Sequence, residues 1–309
     1  MSSFDMLIQQ SINGIMLGMM YALVAVGFTL YFGVLDLINF GHGDFFMLGG
    51  FMALIMYTLG ESWGWADNVP ALLILMFMGA IILTSIASVV TARLAIRPVM
   101  HAPMLISLLV TLGLGIAIRE AVRIFYPLGA NPQFFPSLLP QGDFIVGNNI
   151  VIRYENLIIL AIGILTVVIV YWIINRTKMG SAIRAVAQDG EAAKMMGVNF
   201  NQTIDATFII GAAVAAVAGI LNGLYYGRVV FNMGAIMGVI GFSASVIGGL
   251  GNVFGAIVGG LLFGLMETFA AAALPIGTQY KRVFAFLVVI LFLIFRPNGI
   301  LGEKMYERV

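Results

Sequence analysis

Cysteine is absent from the chain, which excludes disulfides, thiolate metal sites and thiol nucleophiles together. Histidine occurs only at His42 and His101, too sparsely for a histidine-rich metal site, and no metal is expected. Charge is scarce as well: 9% of residues are Asp, Glu, Lys or Arg, against about 25% in a soluble domain. A surface so poor in charge cannot face water. With a net charge of +1 and no basic run of helix length, nucleic acid is not expected as a partner. The G-x-x-x-x-G-K-[ST] loop, H-E-x-x-H and G-x-S-x-G are all missing, so the chain holds no P-loop nucleotide and none of these hydrolytic centres. No cofactor, catalytic residue or enzymatic activity of its own is expected. Met1–Gln10 also lacks the Lys/Arg cluster that opens a signal peptide, so the first apolar stretch reads as a retained span.

What fills the chain instead is apolar: 61% of 309 residues are hydrophobic and the mean hydropathy is +1.05. Nine blocks separate, at Ile12–Gly33, Asp44–Leu59, Pro70–Ala92, Met104–Phe125, Leu157–Ile174, Ile204–Tyr226, Ala235–Leu250, Val253–Leu274 and Val283–Phe295. A span needs about 20 apolar residues, and in lipid only a helix satisfies its own backbone. The expected fold is therefore all-α: one polytopic transmembrane bundle over residues 1–309, with about eight or nine spans and Gly-rich broken helices. Ala235–Leu250 is short and Gly-rich, and either spans or re-enters. Val283–Phe295 reaches across only with its flanks.

Basic residues set the orientation. Arg93 and Arg97, then Arg176, Lys178, Arg184 and Lys194, then Arg296, Lys304 and Arg308 fall on alternate connections, which belong in the cytoplasm together with the C-terminus. The N-terminus then lies outside, provided that Ala235–Leu250 crosses. Residues 127–156 form the largest outside loop. Its Pro127, Pro132, Pro136 and Pro140 argue against a continuous helix and for a surface that faces a partner.

Several features bear on function. Gly211, Ala215, Gly219 and Gly223, and likewise Gly251, Gly255 and Gly259, recur every four residues; this spacing gives smooth helix faces for close packing. In Gly33–Asp44 the polar Asp36, Asn39, His42 and Asp44 lie among Gly33, Gly41 and Gly43. That pattern fits either an ordinary turn capped at Asp44 or a broken helix lining a solute path. Asn39, His42 and Asp44, with Ser243 and Ser245 of the later Gly-rich block, are the candidate path residues. Arg119, Glu120 and Arg123 close the fourth block and read as a structural ion pair; Glu267 must be protonated, paired or facing a polar space. The segment 176–203 reads as a short amphipathic helix pair outside the membrane. Ile183, Val186, Ala187, Ala193 and Met196 share one face, and basic residues are too few for a helix lying on lipid.

Glu191-Ala192-Ala193 followed by Gly197 resembles the E-A-A-x-x-x-G core of the loop by which ABC-importer permeases dock on their ATPases. Its usual I-x-L-P continuation is missing, with Thr207 where the Ile would stand, which points to the branched-chain amino-acid permease family. Asn39-Phe40-Gly41-His42-Gly43 is similar to that family's I-N-F-A-H-G motif, with Gly41 for Ala. Arg97-Pro98-Val99, the stretch from Phe242 to Gly248-Gly249-Leu250-Gly251-Asn252, and Arg296-Pro297-Asn298-Gly299-Ile300-Leu301-Gly302 resemble further family segments, in order. The chain looks closer to the LivH than to the LivM type, having no N-terminal extension. The resemblance implies a bacterial inner-membrane permease with a second, LivM-like permease, two LivG/LivF-like ATPase subunits and a periplasmic substrate-binding protein. Glu191, Ala192, Ala193 and Gly197 would couple it to the ATPases. Relatives import branched-chain amino acids, urea, short amides or aromatic acids. An ion-coupled carrier or channel is the rival class and would show paired intramembrane acids or a basic–acidic relay.

The orientation can be tested by single cysteines in this naturally cysteine-free chain. With an impermeant thiol reagent on intact cells, position 148 is expected to label, whereas positions 97, 184 and 304 stay protected. Labelling at 184 but not at 148 would invert the topology.

Overall fold

The computed structural model describes residues 3–100, 102–146, 150–273 and 280–302; Asn148, Lys304 and Arg308 of the orientation argument, and His101, lie outside them. The helices are α1 (Ser3–Leu35), α2 (His42–Ser62), α3 (Val69–Thr91), α4 (Met104–Phe125), α5 (Tyr154–Arg176), α6 (Lys178–Gln188), α7 (Gly190–Met195), α8 (Phe200–Tyr226), α9 (Met233–Gly248), α10 (Val253–Ala273) and α11 (Lys281–Phe295). A single π-helical turn, Ala92–Ile96, and a 3₁₀ turn, Arg97–Val99, carry α3 toward α4. Seven of the described helices (α1 to α5, α8 and α10) are long and apolar enough to cross a membrane, and α9 and α11 are shorter apolar helices. The polytopic bundle holds.

Two small ladders qualify the all-α expectation. Gln133–Phe134 (β1) pairs antiparallel with Arg228–Val229 (β4), and Asp143–Val146 (β2) pairs with Ile150–Arg153 (β3). The prolines that forbid a helix in residues 127–140 leave backbone groups that ladders and turns satisfy instead. Phe135 is buried beneath Gly223 and donates its amide to the Gly227 carbonyl at 3.0 Å. α1 starts at Ser3 rather than Ile12, because its polar first turns have a partner: the Gln9 side chain accepts from Val151 N (3.0 Å) and donates to Val151 O (3.2 Å). These contacts gather the start of α1, the 127–153 loop and β4 at one end of the bundle.

The opposite end is held differently. Tyr171 lies about 25 Å along α5 from its start beside β3, at 1.5 Å per residue, and there its ring meets Phe254 at the start of α10 (5.1 Å). Ile300 and Leu301 donate to the carbonyls of Ile247 (2.8 Å) and Gly248 (2.9 Å), closing the last turn of α9. α9 therefore runs from β4 to the far end; Ala235–Leu250 traverses the bundle.

The core sits on α1, α2 and α8, whose apolar stretches are 89%, 67% and 72% buried, against 22% for α4 and α5. The peripheral helices bare apolar stripes, as in Ile74, Met78, Ile82, Ile86 and Val90 on α3. Such a face requires lipid or a partner helix rather than water. Small residues make the central contacts. A Cβ on Gly18 would lie 2.8 Å from the Leu261 Cα, and one on Gly219 would overlap the Phe46 carbonyl and sit 3.0 Å from Gly50 N. The Gly211–Gly223 stripe meets Tyr31, then Phe46, then Phe135, so it is a packing face, as its spacing predicts.

Gly219→Val is expected to force α8 from α2, destabilising the bundle by about 1–3 kcal/mol. Gly113→Ala, whose Cβ would meet nothing within 4 Å, should be neutral. Thermal melts of detergent-purified protein check both, and equal melting temperatures would refute the contact.

Candidate functional site

The helical ladder breaks between the two spans α1 and α2. Asp36 takes a left-handed φ of 50°, residues 37–39 are non-helical, and α2 restarts at His42. The break lies against the middle of α4, where Thr111 Oγ1 donates to Ile38 O (3.4 Å), and against α9, where a Cβ on Gly238 would lie 3.5 Å from Phe40 O. Its first residue, Asp36, is exposed. Asn39, His42 and Asp44 are all buried, and Asp44 does not cap α2, whose N-cap is Gly41 with no side-chain bond.

Each polar group has a defined setting. Asn39 Oδ1 accepts from Gly41 N at 3.1 Å, while its Nδ2 is buried without a hydrogen-bond partner. The His42 ring stands edge-on to Phe28 (4.9 Å) and Tyr31 (5.0 Å), with Nε2 3.2 Å from the Val24 carbonyl. Gly27 makes room for it; a Cβ there would overlap the imidazole. The Asp44 carboxylate faces Arg119 of α4, Oδ1 to Nε 2.9 Å, with the Asp44 side chain 2% exposed and that of Arg119 24%. Gly234 of α9 and Gly115 of α4 wall the carboxylate on either side.

Ser243 is half-buried on α9 beside Phe242, whose ring meets Phe28 (6.2 Å) and Phe40 (5.4 Å). Ser245 is buried, and its hydroxyl donates to the Phe242 carbonyl of its own helix (2.7 Å). Asp44 thus faces α4 and α9, His42 turns instead to α1, Asn39 bonds within the break, and the polar group of Ser245 is already engaged.

Three pairings were not visible in the sequence. Within α4 the ion pair is Arg123–Glu120 (3.0 Å), which leaves Arg119 over, and it turns to Asp44. Glu267 accepts from the Tyr21 hydroxyl (2.6 Å) and faces Arg282 (3.4 Å), so it is paired. Asp205 of α8 takes both Arg93 (2.6 Å) and Arg97, tying the turn after α3 to α8. An unmatched charge on an apolar helix was the one available signal for each.

The segment 176–203 folds as the helix pair α6 and α7. Ile183, Val186 and Ala193 are buried, but Ala187 and Met196 are exposed, correcting the single apolar face: the Asp189–Gly190 junction breaks the helix and gives α7 its own direction. Asp189 caps α7, accepting from Glu191 N and Ala192 N at 3.0 Å. α7 closes in a Schellman motif, Val198 N to Ala193 O and Gly197 N to Lys194 O, both 3.0 Å, with Gly197 at φ +84°. Ala193 points inward and seats the helix; Glu191, Ala192, Met195 and Met196 face out, the two methionines 84% and 85% exposed. Among the described residues no group of three or more His, Cys, Asp or Glu is placed to hold a metal.

A polytopic helical bundle with a buried polar break and an exposed, capped helix pair at one end defines the chain as a membrane permease. It belongs to the family described as branched-chain amino acid transport system, permease component, which it matches over residues 10–293. It is 39% identical over 306 residues to the high-affinity branched-chain amino acid transport system permease protein BraD of Pseudomonas aeruginosa, across 98% of both chains. To LivH, the corresponding permease protein of Salmonella typhimurium, it is 37% identical over 320 residues, covering 98% of this chain and 97% of the relative. LivH of Escherichia coli K12 is 35% identical over 318 residues, with the same coverage.

If the break lines a solute path, Asn39→Ala and His42→Ala should each depress solute uptake several-fold while the bundle still inserts. Uptake by both variants at the parental rate would return the segment to a purely structural role.

Proposed function

We propose that this chain is a membrane-spanning permease subunit of an ATP-driven importer in the bacterial inner membrane, moving a branched-chain or other hydrophobic amino acid. A second, homologous permease completes the pore, two separate ATPase subunits dock at the end bearing α6 and α7, and a periplasmic binding protein delivers solute to the other end. The 93–100, 178–205 and 296–302 segments, with the C-terminus, then lie in the cytoplasm. The path passes the Asn39–Asp44 break, with Ser243 beside it and Ser245 behind.

The observation that carries this reading is α7 itself. It is short, capped at both ends and stripped of cover at Glu191, Ala192, Met195 and Met196. Fully exposed methionines at an edge of a protein fit an apolar socket on a partner. The Glu191–Lys194 pair (2.7 Å) is a surface pair of little net worth, so either partner can turn to a group on the ATPase.

Coupling is expected to fail when α7 loses its stop. No atom lies within 4 Å of a Cβ on Gly197, so Gly197→Val acts through its left-handed backbone alone, at roughly 1 kcal/mol or more. In proteoliposomes containing ATPase and loaded binding protein, Gly197→Val should insert normally and lose substrate-stimulated ATP hydrolysis. Normal stimulation would remove α7 from the transmission route.

A further inference from the structure

We propose that Asp44 and Arg119 are the groups to which a zwitterionic amino acid binds on its way through the chain, and that their mutual ion pair closes the path when no solute is present. This rests on the permease reading above and names the chemical class that the path accepts.

Four features of the site carry it. Asp44 is enclosed, at 2% exposure, and faces a cation on another helix, α4, not on its own. Arg119 is 24% exposed, so the pair sits where the buried break meets the outside of the chain. Glycines form the walls: a Cβ on Gly234 would stand 2.5 Å from Asp44 Oδ1, and one on Gly115 would overlap Oδ2. α2, α4 and α9 thus leave room for little more than the carboxylate. Beside it, a Cβ on Gly115 would lie 3.4 Å from the Gly41 Cα, and Asn39, bonded to Gly41, keeps Nδ2 buried without a partner.

The physical argument is one of charge balance. A neutral solute that parted Asp44 from Arg119 would leave the buried Asp44 carboxylate unpaired and the half-buried Arg119 without its partner, which is unfavourable. A simple cation or anion would satisfy one of the two and strand the other. An amino acid brings both halves: its α-ammonium replaces Arg119 at the Asp44 carboxylate, and its α-carboxylate replaces Asp44 at the guanidinium. The Asn39 amide supplies one more donor to that carboxylate. Recognition is then of the α-carbon substituents, and the side chain of the solute is left to be chosen elsewhere. Urea and short amides, which carry no such pair of charges, do not fit.

The test is equilibrium binding of radiolabelled leucine to the purified permease complex in nanodiscs, without binding protein. Competitors are isoamylamine, which keeps the ammonium only, isocaproate, which keeps the carboxylate only, and urea. Unlabelled leucine should compete at least tenfold better than any of the three, and Asp44→Asn and Arg119→Gln should each weaken leucine binding at least tenfold. The competition on the unaltered protein decides the matter even if a variant does not fold. Absence of saturable leucine binding, equal competition by a singly charged analogue or urea, or parental binding by both variants overturns the proposal. The importer reading is scored separately, by whether ATPase subunits co-purify with the unaltered chain.

Discussion

Buried away from water, a peptide group without a hydrogen-bond partner costs several kcal/mol, and this constraint governs how the chain can leave its helical ladder between Leu35 and His42. The break survives because neighbours supply what the helix gives up. Asp36 N still reaches Phe32 O (2.9 Å), His42 N bonds Asn39 O (3.1 Å), Gly41 N bonds the Asn39 side chain (3.1 Å), and Thr111 of α4 bonds Ile38 O. α4 can come that close because Gly41 and Gly115 offer no side chains at the crossing, and α9 because Gly43 meets Gly234 and Gly238. The glycine density of the sequence is thus a consequence of the break. Once the helix is interrupted, backbone must be brought up to backbone, and only glycine allows it.

The same geometry connects the two ends of the molecule. α7 runs through Gly197 and the Asn199 cap into α8. From α8, Asp205 holds Arg93 and Arg97, and Arg97 also donates to Asn201 O (2.8 Å). The turn they stiffen reaches α4 through Ser107 Oγ, which donates to Val99 O (2.9 Å), and α4 carries Arg119. A displacement of α7 by a docked partner therefore has a continuous set of polar contacts to follow as far as Asp44. Continuity makes the route physically available. The shift itself is set by the differential affinity of nucleotide or solute for the two arrangements.

Much of the fold was legible because lipid imposes one rule on every span: an apolar run of sufficient length, helical throughout. The block edges were less so. α1 overruns its apolar stretch because Gln9 finds Val151 far along the chain, and the β1–β4 ladder joins residues nearly a hundred positions apart. Both are long-range pairings that local hydropathy does not record. The site divides in the same way. Asn39, His42 and Asp44 stand out as polar residues in an apolar, glycine-rich setting, and all three are buried, with His42 turned to α1 and Asp44 to α4 and α9. Sequence places Arg119 in an ion pair within its own helix because Glu120 is its neighbour there, whereas the approach of the Asp44 carboxylate from α2 is not visible. The resemblance places Ala193 among the coupling residues, whereas its apolar periodicity places it on the inward face, and in the structure it is buried.

A path of this kind must avoid two failures. If solute bound it tightly it would become a trap, and if it stayed apolar throughout it would exclude a zwitterion. An ion pair that gives way to a zwitterion avoids both, because the two new pairings offset the one that is lost together with the cost of taking the solute's two charges out of water. The attraction lost between Asp44 and Arg119 is regained with the ammonium and carboxylate of the solute, so the step is close to balanced. No strong solute site is then required of the chain, and the drive comes from elsewhere. Turning a two-state equilibrium from 1:99 to 99:1 requires about 5.5 kcal/mol of differential binding. On the proposed reading a balanced exchange at Asp44 would not supply that, and nucleotide binding to ATPases docked on α7 would. The division of labour follows from the electrostatics: the membrane chain keeps the path level, and its partners supply the direction.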